Sequence, residues 1–112
     1  MNVVLIDGSE AWSGGASDVL EMAKGLRALG HHVRAVVRPR AVLYEKLLRE
    51  KIETVAIEPR RDFDPILIAR LARRLRAWKT DAVDVTSPRW YWNGILAARR
   101  AGVRSRVLTR NV

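Results

Sequence analysis

The fold can be predicted most directly from residues 3–37, VVLIDGSEAWSGGASDVLEMAKGLRALGHHVRAVV. It opens on four apolar residues, passes through a polar loop with two adjacent glycines, and returns to an apolar run at its end. Between the two runs, apolar residues recur at i, i+3, i+4 and i+7, which is typical of an amphipathic helix from about Gly15 to Leu29. Gly30 is placed to end this helix in the left-handed conformation. The stretch therefore predicts a βαβ unit with a right-handed crossover.

The same alternation continues to the end of the chain. Further apolar runs rich in β-branched residues lie at residues 54–57, 82–85 and 106–108. One intervening helix is expected to start at Asp64 and Pro65, a carboxylate cap and a first-turn proline, and another to run from near Ser87 to Gly102. Five strands alternating with four helices predict one Rossmann-like α/β domain over residues 1–112. We expect a three-layer αβα sandwich on a five-stranded parallel sheet of order 3-2-1-4-5.

Composition excludes several classes of site. The chain has no cysteine, so neither a disulfide nor a thiolate site is possible. Its only two histidines are the neighbours His31 and His32, and no other histidine stands at ligand spacing from them, so we expect no metal site. We also expect no cofactor. No apolar run approaches the roughly 18–20 residues of a membrane span, and the first residues lack the pattern of a signal peptide. We expect a cytoplasmic protein that is at most peripheral to a membrane.

The net charge of +9 is concentrated in two segments. Residues 59–79 carry seven bases and two acids, and residues 99–110 carry five bases and no acid. Arg70, Arg73 and Arg76 are spaced to share the outer face of the third helix. No aromatic residue interleaves them as a binder of single-stranded nucleic acid requires, so nucleic acid is not the expected partner. Such a face suits an anionic membrane surface better.

The expected ligand site lies beyond the carboxyl ends of the strands, where the strand order reverses. Residues 7–15, 86–93 and 109–112 form the loops there. The first loop leads into a helix N-terminus at Gly14 and Gly15. There the backbone can approach a phosphate closely, and its unpaired N–H groups can donate hydrogen bonds to it. The spacing matches neither the dinucleotide fingerprint nor the P-loop. A tight turn that merely needs glycine is the alternative explanation.

The second loop carries three consecutive aromatic residues at a helix start, Trp90, Tyr91 and Trp92. Neighbouring helical side chains point about 100° apart, so at least one of the three is expected at the surface or in the cleft. The candidates for cleft or acceptor contacts are Trp12, Arg89, Trp90, Arg110 and Asn111. Simple packing is the alternative for the aromatic residues. The pattern assigns no catalytic residue.

Several blocks of this sequence resemble family 4 glycosyltransferases of the GT-B fold. Gly14-Gly15, followed by VLEMAKGL at residues 19–26 and GHHV at residues 30–33, resembles the start of such an enzyme. Similar blocks follow at residues 60–64, 81–89 and 97–110, in order, over nearly the whole chain. The resemblance implies the N-terminal, acceptor-side domain, with the glycine loop near the diphosphate of a nucleotide-sugar donor. It also implies that Arg89 and Arg110 meet charged parts of donor or acceptor.

The sequence also departs from this family. Members commonly have His-x-His at the end of the fourth strand, where this chain has Asp84-Val85-Thr86, and a histidine where it has Asn111. The chain ends before the C-terminal domain that supplies the family's nucleotide-sugar pocket.

The resemblance therefore implies a half-domain that is inactive or nearly so alone. It would act as a hexosyltransferase-type enzyme once a C-terminal domain or subunit completes it. The alternatives are a non-catalytic, flavodoxin-like phosphate-binding or nucleotide-binding module and a basic membrane-surface module. An open edge at the fifth strand predicts a homo-oligomer.

Overall fold

The structure, a computed structural model, describes residues 1–108, in which strands and helices alternate along the chain. The elements are β1 (Asn2–Ile6), α1 (Gly14–Ala28), β2 (His32–Val37), α2 (Val42–Arg49), β3 (Glu53–Ala56), α3 (Pro65–Ala77), β4 (Ala82–Val85), a 3₁₀ turn (Pro88–Trp90), α4 (Tyr91–Arg100) and β5 (Ser105–Leu108). No helix in this part of the chain is long and apolar enough to cross a bilayer.

All five strands form one parallel sheet in the order β3-β2-β1-β4-β5, which confirms the predicted order. In the register of the central strands, Val3 lies beside Val33 on one side and Ala82 on the other. The order reverses at β1, because the chain first builds outward through β2 and β3 and then returns to add β4. The loops after β1 and β4 therefore diverge at the carboxyl end of the sheet.

Helices cover both faces of the sheet. Val3 and Leu5 of β1 face the core beneath α1 and α2, whereas Val4 and Ile6 face the core beneath α3 and α4. This alternation follows from the two-residue period of a strand. Because β1 is buried on both faces, its sequence is continuously apolar, as expected of a central parallel strand.

The helix ends explain where the predicted bounds were right and where they shift. Gly30 and Gly102 adopt φ values of +93° and +77° just beyond α1 and α4, and both endings were predicted. Asp64 caps α3, because its Oδ1 accepts the N–H of Leu67 at 3.2 Å. The fourth helix starts later than predicted: Trp90 donates its N–H to the Ser87 carbonyl at 2.9 Å, and the resulting 3₁₀ turn delays the α-helix to Tyr91.

A close approach between α4 and β4 sets the depth at which the helix sits on the sheet. A Cβ on Gly94 would lie 2.8 Å from Cγ2 of Val85 and 3.5 Å from Cδ1 of Ile6. Atoms of that kind do not pack closer than about 3.5 Å without strain. The glycine is therefore required sterically, because a side chain at this position would push α4 away from the sheet.

Candidate functional site

The floor of the cleft at the reversal point is a buried polar pair. Asp7 follows β1, Thr86 follows β4, and both side chains are buried. The Thr86 Oγ1 lies 2.8 Å from Asp7 Oδ1 and 3.1 Å from the Ile6 carbonyl. An ionised carboxylate only accepts hydrogen bonds, so the hydroxyl is the donor to Asp7. The pair joins the two strands at the point where their loops separate.

The loop that follows β1 starts in a tight, packed conformation. The second carboxylate oxygen of Asp7 accepts the N–H of Ser9 at 2.9 Å, which turns the chain directly after the strand. A Cβ on Gly8 would lie 3.0 Å from Ser87 Oγ and 3.1 Å from Trp90 Cδ1. Gly8 therefore lets the first and second loops pack against each other.

A shared arginine forms the rim of the cleft. One guanidinium nitrogen of Arg38, just after β2, lies 2.6 Å from Glu10 Oε1 and 3.0 Å from Glu58 Oε1. Glu10 belongs to the loop after β1 and Glu58 to the loop after β3, so a single side chain ties three loops together. Trp12 adds a second anchor, because the Lys46 Nζ of α2 lies 4.6 Å from the centre of its ring.

Gly14 and Gly15 are the first two residues of α1, as the proposed phosphate contact requires. Ser13 caps the helix: its Oγ accepts the N–H of Ala16 at 3.3 Å, and its carbonyl accepts that of Ser17 at 2.9 Å. The N–H groups of the two glycines have no acceptor within the helix. Unpaired amides in the first turn of a helix are a general site for anions, which the positive end of the helix dipole also favours.

The structure separates the other candidate residues. Trp12 lies on the rim and is 41% exposed. Trp90 is only 1% exposed and belongs to the core beneath α3 and α4, so the expectation that its ring lines the cleft is corrected: no face is accessible to a sugar. Trp92 is the surface aromatic residue of the stretch, at 66% exposure. Arg89 lies in the 3₁₀ turn beside Trp90. Arg110 and Asn111 lie outside the described residues.

A buried asparagine, which the sequence did not single out, holds the loop before α3. The Asn93 Oδ1 accepts the N–H of Asp64 at 2.8 Å, and its Nδ2 donates to the Arg61 carbonyl at 3.0 Å. The Asp64 carboxylate accepts the N–H groups of Leu67 and Arg60, and these bonds, with the nearby guanidinium of Arg61, hold its pKa below the ordinary value despite burial. An asparagine within an apolar helix was the only signal in the sequence.

The cleft offers backbone amides, a buried carboxylate–hydroxyl pair and a charged rim. Within residues 1–108, no three histidine, aspartate or glutamate side chains are grouped to hold a metal ion. The arrangement suits recognition of an anion at the start of α1 and of hydroxyl groups along the rim.

Solved structures that share this fold include MurG and two proteins described as glycosyltransferases. The chain is 20% identical to MurG of Acinetobacter baumannii, with a TM-score of 0.74 over 98% of this chain and 35% of that one. It is 20% identical to a glycosyltransferase from Rickettsia africae, with a TM-score of 0.72 over 96% and 29%. It is 17% identical to the glycosyltransferase VinC in complex with dTDP, with a TM-score of 0.67 over 96% and 34%. The chain thus spans about a third of the length of these proteins.

Comparison of the sequence itself gives the family. A search of curated proteins finds no match. The family model for Glycosyltransferase Family 4 matches residues 12–110, which include α1, the whole of the second loop and every strand after the first. The match covers nearly the whole chain and confirms the resemblance drawn from the glycine loop and the later blocks. The chain belongs to glycosyltransferase family 4.

Proposed function

We propose that this chain is the acceptor-side, N-terminal domain of a glycosyltransferase that takes its sugar from a nucleotide-sugar donor. The observation that carries the proposal is the position of α1: its first turn opens at the reversal point of a sheet whose sequence matches the family. The dTDP in the VinC structure supports a nucleoside diphosphate as part of the donor.

The amides of Gly14 and Gly15 would contact the donor diphosphate. Negative charge builds on this group as the bond to the sugar breaks, and fixed donors aimed at developing charge lower the barrier. Backbone amides suit this task, because the helix already orients them and no side chain must be ordered. Arg89 and Arg110 would contact charged parts of donor or acceptor, and Asn111 would donate a hydrogen bond to a sugar hydroxyl.

Transfer needs more than this domain. The reaction requires donor and acceptor to be held together and charges to surround the departing diphosphate, and the loops described here form one wall of such a site. A C-terminal domain or a separate subunit would form the other wall. The 112-residue chain alone should give no detectable transfer from a nucleotide sugar. A matching C-terminal domain supplied in trans should restore weak donor hydrolysis, and Asn111→His should then raise it.

Titration of the chain with inorganic phosphate, UDP and dTDP, followed by amide NMR, tests the binding site. The Gly14 and Gly15 signals should shift most. Gly15→Val should weaken binding because a β-branched side chain hinders close approach to the backbone. Gly25→Ala is the matched control: it lies on an open face of the same helix, with no atom within 4 Å of its added Cβ, and should leave affinity unchanged.

The same titration can contradict the assignment. If only the signals of the α3 arginines shifted, the assignment of the donor site to α1 would be wrong. Binding at α1 without any donor hydrolysis in the completed protein would instead favour the alternative, a non-catalytic phosphate-binding module.

A further inference from the structure

The edge of the sheet at β3 borders a groove that the proposed glycosyl transfer does not use. The groove lies between β3 and α3, has a volume of about 1220 Å³, and has an apolar floor that includes Val55, Ile57 and Leu67. It runs from the loop after β3 to Trp78 at the end of α3. It therefore extends away from the carboxyl end of the sheet, where the candidate site lies.

Five arginines line this groove: Arg60, Arg61, Arg70, Arg73 and Arg74. Within residues 1–108, none of the five forms an ion pair with an acidic side chain, although Arg27, Arg34 and Arg38 all do. The two acids in the lining are already engaged, because Glu58 pairs with Arg38 and Asp64 caps α3. The lining thus carries five positive and two negative side chains, a surplus of positive charge beside apolar residues.

The backbone of β3 is open on the groove side of the sheet edge. Ile57 donates its N–H to the Val37 carbonyl at 2.9 Å, so this residue bonds inward to β2. Backbone groups alternate in direction along a strand, and Thr54 and Ala56 therefore turn their N–H and C=O groups outward. In the described sheet β3 is a terminal strand, and such an edge is a template for a further strand.

We propose that β3 and the five arginines bind an extended acidic segment of a protein partner, which adds a strand to this edge. Main-chain hydrogen bonds to Thr54 and Ala56 would supply affinity. Every second side chain of the added strand would lie on the α3 side, where carboxylates meet guanidiniums in charge-assisted hydrogen bonds. The partner is thus recognised by alternating acidic residues. This inference does not depend on the proposed enzymatic reaction.

Charge and shape favour this occupant over three others. A second copy of the chain paired through β3 would place ten guanidiniums along one seam, counting the five from each copy. Single-stranded nucleic acid needs an aromatic ring on which its bases can stack. The guanidinium groups of Arg34 and Arg74 already lie over the Trp78 ring, 5.3 and 5.5 Å from its centre. An anionic bilayer is flat and cannot bond to the outward groups of Thr54 and Ala56.

Binding of the synthetic peptide acetyl-EVEVEVE-amide tests the proposal, with acetyl-EPEPEPE-amide as a control of equal charge that has no N–H groups at its prolines. The first peptide should bind and slow amide exchange at Thr54 and Ala56. The proline peptide should bind at least about tenfold more weakly, a difference of about 1.4 kcal/mol. Ala56→Pro should weaken the first peptide by a similar factor, because proline is tolerated where an edge N–H points outward.

The double substitution Arg70→Ala with Arg73→Ala should also weaken the valine peptide about tenfold. Arg49→Ala is the matched control, because this exposed arginine lies at the end of α2 on the opposite face of the sheet. Its substitution should leave the affinity for the valine peptide unchanged. Circular dichroism verifies that each variant is folded.

Three results would overturn the proposal. One is equal affinity for the valine and proline peptides, which would reveal charge attraction without strand addition. Another is unchanged exchange at Thr54 and Ala56 in the peptide complex. The last is arginine-dependent binding to phosphatidylserine vesicles with no peptide binding up to about 1 mM, which would assign the groove to a membrane.

Discussion

The hydroxyl of Thr86 donates a hydrogen bond to Asp7 Oδ1 over 2.8 Å and so joins residues that lie 79 positions apart in the chain. Both groups are buried, and each stands directly after its strand. The bond fixes β1 and β4 at the level where their loops diverge. It also satisfies a carboxylate that would otherwise be costly to bury.

Thr86→Val should lower the free energy of unfolding by about 1–3 kcal/mol, because it leaves one oxygen of the buried Asp7 carboxylate without its hydroxyl donor. Thr86→Ser keeps the hydroxyl and should lose less. Urea denaturation of the three proteins measures the difference. Equal stability of the valine and serine variants would show that the bond contributes nothing.

Two glycine-to-alanine substitutions should have opposite effects. Gly94→Ala introduces a Cβ 2.8 Å from Val85 Cγ2 and should destabilise the chain by about 1–3 kcal/mol through overpacking. Gly25→Ala meets no atom within 4 Å and should stabilise by about 0.5–1 kcal/mol through helix propensity. Thermal or urea unfolding tests both. Gly94→Ala should lower the free energy of unfolding by less in a Val85→Ala background than in the natural chain. An equal loss in both backgrounds would contradict the steric explanation.

The cap of α3 predicts a pH dependence. Hydrogen bonding to the Leu67 N–H lowers the pKa of Asp64 in the folded chain, so the folded state favours the ionised form more than the unfolded state does. The resulting stabilisation is present above the unfolded pKa, near pH 4, and is lost as pH falls through the lower folded pKa. Asp64→Asn should therefore reduce the stability difference between neutral and acidic pH. If the free energy of unfolding changed equally with pH in both proteins, Asp64 would not be the source of the pH dependence.

Self-association is expected through the other end of the described sheet. Strand β5 has β4 on one side, and a terminal strand presents backbone groups that can pair with a second copy. We expect a dimer or larger assembly at high micromolar concentration, measured by analytical sedimentation. Ala56→Pro, at the opposite edge, should leave the association unchanged. A pure monomer over this concentration range would contradict the prediction.

The order and type of the elements were predictable because their signals are local. Four consecutive apolar residues in β1, the carboxylate and proline that start α3, and the glycines that end α1 and α4 each act within a few residues. The strand order is not visible in the sequence itself and was expected only as the common arrangement of such parallel sheets, with right-handed crossovers and a reversal at the first strand. These features required no knowledge of distant contacts.

The candidate site was only partly predictable, because it depends on contacts between distant residues. The positions of Gly14 and Gly15 at the start of α1 followed from the local pattern. The burial of Trp90 did not, since it results from a 3₁₀ turn that packs against Gly8 in another loop. The asparagine that holds Asp64 lies 29 residues from it in the chain, and no spacing rule connects such pairs.

The ion pairs of Arg38 with Glu10 and Glu58 make the loops around the cleft sensitive to salt concentration. Arg38 is one-quarter exposed and both glutamates are more open still, so dissolved ions screen these attractions, with a Debye length of about 8 Å at physiological ionic strength. The buried bond between Asp7 and Thr86 is insulated from such screening. Rising salt should thus loosen the upper loops while the base of the cleft keeps its shape. The base of the cleft is therefore rigid at any salt concentration, whereas the mobility of the loops above it depends on the ionic strength.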